Sequence, residues 1–324
     1  ISENEIWYAT FGMGLFLHNP GTFTTLNVKD GLDVGGMTFD LVKHGDKLYI
    51  ATKNGLFLYQ NNKIKKHYTK KDGLPSNMIL DLDMDSSGNL WIATANGLSK
   101  LSGSVFKNYS RKDGLPSKLV TSVHVDDRDD SRIWMGSERS GLTKFDKKGF
   151  YTYAVQDGLP SNSIRDITQS NDGTLIIACY KAGVAKFDGK KFTLYDNGLD
   201  DKRVILLENG FDGEIWAGTE SAGIGVLEED QFRMIRDSVG LAHNEMFSLY
   251  NDGKRMWAGT FGGGVSCFHD STWFTLRESD GLNSNTVGSI VSIDENTTMI
   301  GGTSGVSIFK TNNQKFSLEM GDIL

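Results

Sequence analysis

The chain has 324 residues, with 41 Asp and Glu against 34 Lys and Arg and a net charge of -7, so a nucleic-acid ligand, which needs a basic surface to displace counterions, is not expected. Glycine is abundant (38) and proline scarce (4), which suits many tight β turns and excludes a collagen-like or disordered chain. No stretch of about 18 apolar residues occurs, so no membrane segment is expected in this chain.

In chain order, one short pattern returns at a fixed interval. Its centre is Trp7, Tyr49, Trp91, Trp134, Ile176, Trp216, Trp257 and Ile300, each 40 to 43 residues after the last. A second landmark keeps the same phase: Asp30-Gly31-Leu32, Asp72-Gly73-Leu74, Asp113-Gly114-Leu115, Asp157-Gly158-Leu159, Asn197-Gly198-Leu199, Val239-Gly240-Leu241 and Asp280-Gly281-Leu282. A period of about 40 to 45 residues with strand chemistry inside each copy predicts an all-β propeller built from four-stranded antiparallel blades. The copy from Pro75 to Ser110 gives the strands: A over 78–84, B over 90–94, C over 98–101 and D over 105–109. Eight B strands lead to an expectation of eight blades, the alternative being seven blades plus part of a second propeller. Ile1-Ser2-Glu3-Asn4 resembles Ile293-Asp294-Glu295-Asn296, the end of a strand A and its turn. Residues 1–324 are therefore expected to form a single propeller domain with an incomplete first blade, cut from a longer protein.

The large aromatic of strand B is expected to fill the space between neighbouring sheets. The glycine that follows it (Gly14, Gly55, Gly97, Gly141, Gly183, Gly223, Gly264, Gly305) is expected to serve the loop backbone. Asp83-Met84-Asp85-Ser86-Ser87-Gly88 begins like a calcium loop, yet Thr94 stands where a bidentate Glu is required, so it reads as an A to B turn. Asp126, Asp127, Asp129 and Asp130, with Arg128 and Arg132 between them, occupy the equivalent turn of the next copy. The six histidines lack metal-ligand spacing, and no phosphate loop or nucleophile elbow is present, so no metal and no cofactor is expected. Cys179 and Cys267 lie two copies apart and read as buried free thiols.

The consensus DGL-PSN followed by a strand, D-x-x-G, a W-[IMA]-[AG]-T strand and a glycine is clean at 72–98 and weaker at 157–184 and 280–306. It resembles the two-component regulator propeller repeat. The resemblance implies the periplasmic sensor region of a hybrid two-component regulator, with a ligand bound outside the inner membrane and any kinase activity outside this chain. It also implies a homodimer formed through the parent protein. Similar repeats in cell-surface and secretion-associated proteins keep open a scaffold that binds a protein partner, and a propeller lyase or hydrolase is the third reading.

Comparison between copies separates scaffold from site. Side chains that change from copy to copy on the face formed by the D to A and B to C loops include Phe11, Arg139, Tyr180, Lys181, Glu220 and Phe261, joined by Arg203, His243, Asn244 and Glu245 from the unusual DGL copies. Aromatics beside charged and amide groups suit sugar rings, hydroxyls and carboxylates, so these are the candidate ligand-binding residues for an oligosaccharide or a protein. A catalytic reading would have to start from Tyr180, His243 and Glu245; no catalytic residue is assigned and the chain is read as non-enzymatic.

Overall fold

The computed structural model describes residues 6–10, 14–19, 22–26, 31–32, 38–61, 63–269, 271–280, 282, 285–294, 297–302 and 305–310. Six sheets of four antiparallel strands follow one another: blade 1 spans residues 38–68, blade 2 79–109, blade 3 120–153, blade 4 164–195, blade 5 204–235 and blade 6 246–276. Two three-stranded sheets flank them. Ile6–Thr10, Gly14–Asn19 and Thr22–Leu26 form the first, and Val287–Asp294, Thr297–Gly302 and Gly305–Lys310 the last. Ile6–Thr10 packs beside Val287–Asp294 and beside the A strand of blade 1.

The number of four-stranded blades corrects the sequence expectation. It is six among the described residues, not eight or seven. Counting B-type segments counts copies of the motif, and a copy makes a complete blade only where all four of its strands pair; the first and last sheets each pair three.

In every four-stranded blade, strand A lies beside strand A of the next blade. The A to B register shifts near the start of each strand A, as between Ile79 and Asp81 or Ile164 and Ile167. Such a bulge re-aims the side chains beside it.

The core lies between blades. Trp91, Ala93, Leu98 and Tyr109 of blade 2 pack against Val120, Val123, Val125, Ile133 and Met135 of blade 3. Trp216 does the same between blades 5 and 6. Trp91, Trp134, Trp216 and Trp257 of strand B are thus buried, and in three blades a turn or strand carboxylate accepts the indole N–H: Asp126 for Trp134, Glu214 for Trp216 and Asp252 for Trp257. This is what the A to B acidic turns do. Asp85 accepts from Asn89 and meets Lys100 at 3.1 Å, while Asp83 accepts the Val125 N–H of the next blade. Both cysteines are buried free thiols, and burial pushes Cys179 up to about 12.

The DGL landmark is a cap. Residues Lys70–Asp72 form one 3-10 turn, Thr69 and Asp72 cap each other's backbone N–H groups, Gly73 closes the turn with φ 113°, and Leu74 is buried. The Asn of the following PSN accepts an N–H from the same turn: Asn77 from Lys70, Asn162 from Val155, Asn244 from Asp237 and Asn285 from Glu278.

The glycine after strand B is required twice over. At Gly141 φ is +86°, and an added Cβ would stand 2.2 Å from the Tyr153 carbonyl oxygen of strand D. Its N–H donates to the Asn162 carbonyl at 2.9 Å, tying the B to C loop to the next D to A connection on one face of the molecule. Gly141→Ala is therefore expected to destabilise the fold by about 2 to 4 kcal/mol, read as a lower midpoint in urea. An unchanged midpoint would show that this loop relaxes freely.

Candidate functional site

Backbone bonds put the variable loop positions in register. The first residue of the B to C loop donates its N–H to the residue just before strand A: Tyr180 to Ser163, Glu220 to Arg203 and Phe261 to Glu245. Pairs of variable side chains are therefore held next to each other at the same place in blades 4, 5 and 6. The hydroxyl of the last strand-B residue fixes the loop by accepting an N–H further along it, Ser137 from Ser140 and Thr219 from Ala222. This alignment makes Glu138, not Arg139, the counterpart of Tyr180, Glu220 and Phe261; Arg139 corresponds to Lys181 and Ser221.

Between blades 4 and 5 these positions converge. The Tyr180 hydroxyl donates to Glu220 Oε2 at 2.9 Å, and Arg203 Nη1 lies 3.0 Å from the same oxygen. Arg203 Nε also donates to Asp201 Oδ1 at 2.8 Å, its Nη2 donates to Ser221 Oγ at 2.7 Å, and Ser221 Oγ donates to Asp201 Oδ2 at 2.8 Å. The Arg165 guanidinium from strand A lies over the Tyr180 ring with its carbon 4.5 Å from the ring centre, and Lys181 Nζ lies 5.6 Å from that centre. The hydrogen bond to Glu220 raises the Tyr180 phenol above its ordinary value. A phenol kept protonated in this way is a donor, not a base. Burial pushes the Asp201 carboxyl up, but the bonds from Arg203 and Ser221 outweigh it and hold the group below the usual carboxylate range.

The remaining predicted residues are placed apart from this cluster. Phe11 lies outside the described residues. Arg139 is exposed on the loop of blade 3. In blade 6, Phe261 is exposed and its ring stands 5.4 Å from Phe247, while exposed His243 accepts the Glu245 N–H through Nδ1. Asn244 accepts from Asp237 and, through its carbonyl, from Gly223, the scaffold role that Asn162 fills two blades earlier. Arg165, Asp201 and Ser221 escaped the comparison of loops. Arg165 sits on a strand, and Asp201 and Ser221 look like ordinary turn residues until Arg203 is seen between them.

A second polar region follows the inner strands. The carboxylates beside the strand-A bulge reach across to the next blade: Asp40 accepts the Leu82 N–H at 3.0 Å, Asp81 the Val123 N–H at 2.7 Å and Asp166 the Leu207 N–H at 2.8 Å. Burial, with neighbouring negative charge, raises Asp81 well above the usual range, and burial lifts Asp166 to about 6 and Glu208 to about 7. Among the described residues no group of three or more His, Cys, Asp or Glu side chains could hold a metal ion.

Residues 73–96 match the family described as "Two component regulator propeller". Those residues carry one copy of that repeat. Among solved structures, this chain is similar to streptogramin B lyase, at 15% identity over 85% of this chain and 93% of that one, with a TM-score of 0.65. It is similar to the extracellular domain of a one component system from B. thetaiotaomicron, at 16% identity over 95% of this chain and 50% of that one, with a TM-score of 0.54. PorZ, a surface component of the type-IX secretion system of Porphyromonas gingivalis, is similar at 15% identity over 96% of this chain and 46% of that one, with a TM-score of 0.56. At these identities the likeness is one of fold. This chain spans about half the length of the latter two chains. No curated protein sequence matches it. No helix among its described residues is long and apolar enough to cross a membrane.

Proposed function

We propose that this regulator propeller is a non-enzymatic, ligand-sensing region of a two-component regulator, placed in the periplasm or at the cell surface, and that it binds a glycan fragment or similar small ligand on the face of the D to A and B to C loops. The observation that carries this reading is the Tyr180–Glu220–Arg203–Asp201–Ser221 network, which joins two successive blades through side chains that vary between copies. Donors and acceptors fixed on a rigid scaffold bind at low ordering cost. The repeat family and the fold shared with the extracellular domain from B. thetaiotaomicron support the sensing role. A ligand that tightens or parts the Tyr180–Glu220 bond would change how blades 4 and 5 sit together, which is the kind of change a downstream domain can read.

Calorimetry against a panel of oligosaccharides tests the reading. A ligand bound by the wild-type protein is expected to bind the Tyr180→Phe, Arg203→Ala double variant at least about tenfold more weakly, the loss of two polar contacts. Wild-type affinity in that variant, with binding abolished by Asp172→Ala in an A to B turn, would place the site on the opposite face. A second reading, a scaffold that docks a protein partner, is favoured by the exposed apolar side chains Val155, Val239 and Phe261 on the same loops. Capture of a folded partner by the panel-negative protein, lost on Phe261→Ser, would replace the first reading with this one.

A further inference from the structure

We propose that the loop face between blades 4 and 5 is an anion-recognition site, in which Arg165 and Lys181, beside Tyr180, take a carboxylate or sulfate group carried by the ligand; this rests on the ligand-sensing reading above. Five charged side chains meet there, and their pairing is uneven. Both oxygens of Asp201 are taken by Arg203 and Ser221, and one Glu220 oxygen is shared by Tyr180 and Arg203. Arg165 and Lys181 have no acidic partner among the described residues. Asp166, next along the chain from Arg165, is committed instead to the Ile167 and Leu207 N–H groups. A chain of net charge -7 thus holds a local excess of positive charge at this place.

The second observation is Arg165 itself. Its Nε is buried and makes no hydrogen bond, while its guanidinium carbon lies over the Tyr180 ring, 4.5 Å from the ring centre. A buried donor left without an acceptor is costly, and native proteins rarely keep one without a role. The ring contact restrains the guanidinium, so a planar carboxylate or a sulfate can be met by two parallel N–H groups of the fork with less loss of side-chain freedom. Lys181, held in the left-handed region at φ 67°, adds a mobile point charge beside that fork. Neutral sugars offer nothing that uses either cation in this way.

The test reads the Arg165 Nε–H resonance by NMR, assigned by its loss in Arg165→Lys, at constant ionic strength. The probes are glucuronate, inorganic sulfate and, as the neutral control, methyl glucoside. The expected result is a saturable shift with glucuronate or sulfate, the stronger of the two naming the anion, and none with the glucoside. No shift with either anion, or an equal shift with the glucoside, overturns the proposal. Arg165→Gln and Arg165→Lys, checked for an unchanged unfolding midpoint, separate this proposal from the one it rests on. An oligosaccharide that binds Arg165→Gln with wild-type affinity leaves the sensing reading standing and overturns the anion site. Anion-dependent shifts at Arg165 with no oligosaccharide bound support the anion site and overturn the glycan ligand.

Discussion

Trp216→Ala is expected to destabilise the fold by about 3 to 5 kcal/mol, the range for removing a large aromatic from a core that cannot collapse around the gap. Trp216 is 2% exposed and stands between blades 5 and 6, packed with Ile224, Val226 and Ile235 on one side and Leu241, Met246, Met256 and Ala258 on the other. Phe268 and Trp273 of blade 6 lie 5.8 and 6.0 Å from its ring. Both walls of the gap belong to sheets fixed by their own hydrogen bonds, so neither can move in to fill it. Loss of the indole N–H also removes the bond it donates to Glu214. Denaturant unfolding of the variant checks this. A change below about 1 kcal/mol would mean that blades 5 and 6 are held by their edges and not by this contact.

The second large effect is a loss of stability as pH rises from about 5 to 8. Burial raises Asp166 from 3.8 to about 6 and Glu208 from 4.5 to about 7, so the folded chain holds these two protons more tightly than the unfolded one. Their contribution is complete below the unfolded values near 4, falls as the pH passes through the folded values near 6 and 7, and is gone by about 8. Together the two groups are worth of the order of 2 to 4 kcal/mol over that window. Carboxyls held below their ordinary value, such as Asp126, Asp172 and Asp252, act in the opposite sense and at lower pH, so they do not mask the effect. Thermal midpoints measured between pH 5 and 8 should therefore decline, and Asp166→Asn with Glu208→Gln should make the profile less steep, the slope that remains being that of Asp81, which burial also raises. A wild-type midpoint that is flat or rises over the same range would show that the two groups ionise freely beside the inner strands.

The loop face shows how far pattern alone reaches. Variation between copies picked out Tyr180, Lys181, Arg203 and Glu220, and these four do meet, because the repeat places them on one loop position and the residue before strand A. The same comparison could not find Arg165, since a strand residue carries no loop signature, and it grouped Arg139 with Tyr180, Glu220 and Phe261, whereas Glu138 is their counterpart because all four loops run four residues from strand B to Gly141, Gly183, Gly223 and Gly264. Asn244 was picked because it follows an unusual DGL copy, Val239-Gly240-Leu241, yet its amide makes the bond that Asn77 and Asn162 make in their copies.

The sequence by itself determined the repeat, the four strands within a complete copy, the buried place of the strand-B tryptophans and the face on which the variable loops open. Each follows from local chemistry that recurs with the period: a glycine with positive φ, a capped DGL turn and an alternation of strand and turn. Tertiary structure alone decided how many copies become four-stranded blades, that acidic turns serve the indole N–H groups, and that the bulge carboxylates reach the next blade. These depend on pairing between segments some 40 residues apart, as in the Asp166 to Leu207 bond, and no local pattern records which strand edge or which N–H stands opposite a given side chain.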